Sequence, residues 1–127
     1  MSLTTLIPEA RTVLTSYASL TAQVAATKIS FAQRPQGAQK PGIVVSMGPT
    51  EYEPTMGNAT ALTVYRIDYH CFAETAQSAA TIHELIKAAV LAHTSSDFDL
   101  RLVDEAYFVD VDNVHRTTLS VNFITVS

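Results

Sequence analysis

Hydrophobic and polar residues alternate most strictly between Val64 and His70, where Tyr65, Ile67 and Tyr69 fall on one side and Arg66, Asp68 and His70 on the other. A period of two marks a strand with one face buried, and the pattern predicts a long strand over 61–73. The period then changes. From about Thr75 to His93, the residues Ala79, Ile82, Leu85, Ile86, Ala89 and Val90 recur at helical spacing, with Gln77, Thr81, Glu84 and Lys87 largely on the other side. Thr75 is placed to cap this helix, and its alanines favour it by propensity. Strand and helix together predict the central packing contact: the helix lies back over the Tyr65, Ile67, Tyr69 and Cys71 face.

The rest of the chain arranges itself around that pair. Leu6, Ala10, Val13, Leu14 and Tyr17 form one helical face, and Pro8 is tolerated only in a first turn, so this helix is expected to begin near Thr4 or Thr5. Ser19 reads as the cap of a short helix over Leu20 to Ala25. Lys28 to Ala32 is a brief strand, and Gln33 to Gly42, with two prolines and two glycines, is a loop. Ile43 to Met47 is a strand stopped by Gly48-Pro49, and Pro49 to Thr60 is a long connection. Leu100 to Val111 and Thr117 to Val126 form two more strands around a turn at Asp112-Asn113. In the last of these, Leu119, Val121 and Phe123 alternate with Thr118, Ser120 and Asn122. The expected fold is α+β: one domain over residues 1–127, with a largely antiparallel sheet and helices packed on one face.

Composition changes this picture in two respects. Charged residues make up 16% of the chain and hydrophobic ones 47%, against about 25% charged in an average soluble domain. So poor a supply of solvated groups favours a surface that meets another protein. The net charge of -4 argues against a nucleic-acid interface held by a basic patch. Cys71 is the single cysteine, which excludes an intramolecular disulfide and fits a cytoplasmic setting. Neither a signal peptide nor a membrane span is expected from the first residues.

Candidate chemistry is sparse. His70, His83, His93 and His115 are far apart, and none has metal-ligand spacing with another His or Cys. Asp68 and His70 share a strand face, which a polar surface explains without a metal. Cys71 follows the buried alternation and is expected in the core rather than as a nucleophile. Asp97, Asp99, Asp104, Glu105, Asp110 and Asp112 crowd around the single base Arg101. No calcium loop, nucleophile elbow, phosphate-binding glycine loop or His-Glu-x-x-His is present. No catalytic residue, cofactor or metal is assigned.

The order of elements is itself informative. Tyr17-Ala18-Ser19-Leu20-Thr21-Ala22-Gln23-Val24, then Ile29, Pro35-Gln36-Gly37 and Pro41-Gly42-Ile43-Val44-Val45, then Val64 to Thr75, an alanine-rich helix and His115-Arg116-Thr117-Thr118-Leu119-Ser120-Val121 resemble the small tail-completion or tail-terminator proteins of long-tailed bacteriophages. The likeness spans nearly the whole chain and consists of order and spacing. It implies a non-enzymatic structural subunit in the virion, assembled in the host cytoplasm. Such subunits form a homo-oligomeric ring, often a hexamer, at the head-proximal end of the tail. The ring caps the tail tube protein and joins the tail to the head connector, with DNA passing through the lumen.

On this reading the loops supply the contacts, with Arg34, Gln36, Lys40, Glu51, Tyr52, Glu53, Met56 and Asn58 as interface candidates. The acidic Asp104, Glu105, Asp110 and Asp112 are candidates for the lumen, where like charge would keep DNA from sticking. Two alternatives stand beside it: another phage neck or baseplate ring component, and a small ligand-binding α+β domain with a pocket under the 75–93 helix.

Overall fold

The computed structural model describes residues 3–24, 28–31, 42–54, 61–109 and 114–126. Its elements in chain order are α1 (Leu3–Thr15), α2 (Ala18–Thr21), β1 (Ile29–Phe31), β2 (Gly42–Pro54), β3 (Ala61–Ala73), α3 (Ala76–Ala92), β4 (Asp99–Val109) and β5 (His115–Val126). The strands form one sheet in the order β1-β2-β3-β5-β4. Only β1 and β2 run parallel; the other neighbours are antiparallel. The fold is α+β, as expected from the pattern.

The strand over 61–73 is the centre of the sheet. Its Tyr65, Ile67, Tyr69 and Cys71 are buried, and β5 sets Phe123, Val121, Leu119 and Thr117 opposite them on the same face. Leu6, Ala10, Val13 and Leu14 of α1, with Leu20 and Val24 around α2, join that core from above, as do Ile82, Ile86, Ala89 and Val90 of α3. Phe98 closes one end, edge-on to Tyr65 and Phe123 with ring centroids 6.3 and 5.8 Å away. The Tyr69 hydroxyl donates to the Ala10 carbonyl at 2.9 Å and ties α1 to the sheet. Thr75 caps α3 by accepting from the Ser78 N–H at 3.1 Å.

Four expectations are corrected. Gly48-Pro49 does not stop β2, which runs on to Pro54. Between Met47 and Thr50 the register gains one residue against β3, so the pair forms a bulge. A Cβ on Gly48 would come within 3.1 to 3.3 Å of the Arg66 stem, so glycine allows this close approach. Second, Pro8 lies beyond the first turn of α1, because the helix starts at Leu3. Third, the short helix starts at Ala18, two residues earlier than Leu20, with Tyr17 rather than Ser19 as its N-cap residue and no side-chain cap. Fourth, the closing strands are Asp99–Val109 and His115–Val126; the Asp112-Asn113 turn lies outside the described residues.

Candidate functional site

The sheet ends, on one side, in a strand that α3 touches at Glu105 but does not cover. α3 lies over β3 and β5, so β4 extends beyond the helical layer with one edge on β5 and no described strand on the other. Its residues are exposed on both faces. Tyr107, Phe108 and Val109 keep 50, 44 and 53% of their surface open, and Leu102 and Val103 are also exposed. Edge strands in natural proteins are normally blunted by charge, proline or a bulge. β4 uses a bulge at Val103, followed by Asp104 and Glu105, and carries no lysine or proline. Beyond that block, Ala106 to Val109 is an apolar, open edge.

Register explains how the local side chains are used. Tyr107 pairs with Thr117 and faces the helix side, where its hydroxyl hydrogen-bonds the His115 Nδ1. Phe108 pairs with Arg116 on the opposite face, and the guanidinium stands over its ring, 4.8 Å from the centroid. Glu105 turns toward α3: its carboxylate lies 3.2 Å from Lys87 Nζ and 3.8 Å from His83 Nε2. The hydrogen bond from Lys87, with the charges of Lys87 and His83 adding, holds its carboxyl below the ordinary range. Asp104 points to the other face and accepts the Glu105 backbone N–H at 2.8 Å.

The middle of the sheet face away from the helices carries a polar cluster. His70 Nε2 lies 3.0 Å from Ser46 Oγ and His70 Nδ1 lies 2.9 Å from Thr118 Oγ1. Beside them, Ser120 donates to Asp68 at 2.7 Å, and Arg66 donates to both Asp68 and Ser120. Partial burial pushes the His70 pKa down, Arg116 adds to this and Asp68 opposes it. A serine and a histidine in contact are two members of a nucleophilic triad. Here the far nitrogen meets a threonine hydroxyl instead of a carboxylate, and Asp68 is engaged by Arg66 and Ser120. The arrangement satisfies polar groups across three strands and has no third group to orient a base.

The remaining candidates sort plainly. Cys71 is buried and its thiol is pushed up to about 12 by burial, which keeps it a protonated core residue. Among the described residues no group of three or more His, Cys, Asp or Glu could hold a metal ion. Glu51, Tyr52 and Glu53 sit in β2, paired with Val64, Thr63 and Leu62, and not in a loop. Arg34, Gln36, Lys40, Met56, Asn58, Asp110 and Asp112 lie outside the described residues. The inner face of α3 is filled by Ala79, Ile82, Ile86, Ala89 and Val90. A recess of about 290 Å³ lies beside the helix instead, bounded by His83, Glu84, Glu105 and Tyr107. From sequence, Leu100 to Val111 read as a strand and its acids as the solvated edge of a hairpin; the open apolar run at Tyr107 to Val109 within it was not singled out.

No protein-family model and no curated protein matches the chain. Among solved structures, the fold is similar to that of a chain described as belonging to the virion of a native gene transfer agent particle. The TM-score is 0.69 at 17% identity, over 93% of this chain and 92% of that one. At that identity the likeness concerns the fold, and it extends over almost the full length of both chains.

Proposed function

We propose that this chain is a structural virion protein: a tail-terminator subunit that closes with its own copies into a ring, caps the tail tube and joins it to the head connector. The observation that carries the reading is the near full-length fold likeness to a chain of a virion particle. An open apolar strand edge on a chain with few charges supports it. No bond is made or broken in this role. A ring subunit needs two unlike flanks that meet head to tail, and closing the rotation ends growth.

The sheet supplies unlike flanks, because β1 and β4 are its two ends. The segments joining β1 to β2 and β2 to β3, with Arg34, Gln36, Lys40, Met56 and Asn58, are assigned to contacts with neighbouring subunits, the tube or the connector. The β2 positions Glu51, Tyr52 and Glu53 join them. Asp104, on the open sheet face, turns to the lumen together with Asp110 and Asp112, where their charge repels passing DNA. Glu105 belongs to this acidic group by sequence, but its carboxylate is already held against α3 by Lys87.

Native mass spectrometry of the purified chain tests the reading. The expected result is a closed ring, a hexamer of a 13.8 kDa chain. A monomer or dimer that persists at high concentration and with tail tubes present overturns it. That result, with a small molecule bound in the recess beside α3, would favour the ligand-binding alternative.

A further inference from the structure

We infer that the outer edge of β4 is the docking site for a second copy of this chain, which presents its β1 edge and so continues the sheet across the subunit boundary. The inference rests on the ring reading and specifies which strands meet. Strand direction comes first. β1 runs with β2, and β2, β3, β5 and β4 alternate in direction, so β4 runs opposite to β1. A neighbour related by rotation about an axis along the strands therefore sets its β1 antiparallel to β4.

Height along the strands comes second. Register partners form rows that cross the whole sheet: Ile29, Ile43, Cys71, Thr117 and Tyr107 form one, and Ser30, Val44, His70, Thr118 and Ala106 form the next. Rotation about such an axis leaves height unchanged. The end of β4 at Glu105 to Tyr107 then meets Ile29 to Phe31 of the neighbour, and this is where β4 begins its open apolar stretch.

Charge selects this partner over the other one the edge could take. Residues 99–109 carry Asp99, Asp104 and Glu105 against Arg101, a net of -2. Two copies joined β4 to β4 about a two-fold axis would set this edge against itself. Lys28 stands immediately before β1, and no acid lies between it and the end of that strand. Lys28 beside β1 and Asp104 on β4 thus put opposite signs at the two ends of the sheet, which favours head-to-tail closure over pairing like with like.

Site-directed cross-linking in the full-length chain tests this. In an antiparallel ladder, facing Cα atoms lie about 4.5 to 5.5 Å apart, within the span of a disulfide. The double variant Ser30→Cys with Ala106→Cys, mildly oxidised, is expected to give on a non-reducing gel a ladder of covalent oligomers up to the ring that collapses on reduction, while each single variant gives none. Charge reversal supplies a second readout: Lys28→Glu puts an acid beside the strand that meets the acidic β4 edge and weakens association severalfold. Rings of wild-type mass with no cross-link, in this pair and in Ser30→Cys with Asp104→Cys, and no effect of the charge reversal, overturn the β4 site while leaving the ring reading intact. Cross-linking of Ala106→Cys alone shows β4 pairing with itself and overturns it too. A wild-type chain that stays monomeric overturns both.

Discussion

Replacing Tyr69 by phenylalanine probes the contact that holds α1 on the sheet. The Tyr69 ring is fully buried, and its hydroxyl donates to the Ala10 carbonyl at 2.9 Å. Burial, reinforced by the charge of Glu9, pushes the phenol pKa above its ordinary value, so the hydroxyl stays protonated and able to donate. Phenylalanine keeps the ring and leaves no sizeable cavity. The cost is then the hydrogen bond alone, with a possible penalty for the acceptor left behind. Ala10 lies within α1, and a carbonyl there also accepts the N–H four residues on. The acceptor is therefore half satisfied in the variant, not orphaned. The expected loss is about 1 kcal/mol, within the range of roughly 0.5–1.5 for a net intramolecular hydrogen bond. For a chain of this size that is a fall in Tm of about 3 to 5 °C. Urea unfolding followed by far-ultraviolet circular dichroism, with both proteins at one concentration, measures it. A loss under about 0.3 kcal/mol means the bond contributes nothing net. A loss above about 3 kcal/mol means the carbonyl was orphaned, and the helical account of α1 around Ala10 fails.

Two further substitutions read other parts of the fold. Pro8→Ala restores a backbone donor in the interior of α1 and removes a residue that costs about 3 kcal/mol in a helix interior; it is expected to raise the urea midpoint, and a lowered midpoint contradicts the helix assignment there. His70→Asn tests pH linkage. Its imidazole titrates below the ordinary value in the folded chain, so the unfolded chain takes up the proton first as pH falls. Its contribution is intact above about 6.5 and is lost as pH falls through the folded value. Stability of the wild type should decline more than that of the variant between about pH 7 and 5; equal declines would show that burial does not lower the titration of His70.

The faces of β3, β5 and α3 were legible because each is a long run with one clear period, and burial followed that period except at Val64, Ser120 and His83, which are buried off it. Punctuation misled where one residue type serves two purposes. Gly48-Pro49 would end a strand in isolation, but here the partner strand continues and the extra residue becomes a bulge. Pro8 likewise implied a later helix start, and packing of Leu6 into the core carries the helix back past it. At the site, the acidic letters at 104 and 105 were visible and alternation sends them to opposite faces, yet which of them faces α3 depends on the Val103 bulge, and Lys87 then meets Glu105. The open edge of β4 was hidden for a different reason. Leu102 and Tyr107 look like core residues, and the lateral extent of the helical layer leaves them outside it; Phe108 faces the other way, where no helix packs.

Tail-tube polymerisation tests the central claim most directly. Tube protein from the same particle is assembled with and without this chain, and tube lengths and ends are measured by electron microscopy. The account predicts that growth halts and that a ring of this chain sits on one end of each tube. Tubes of unchanged length with bare ends would contradict it.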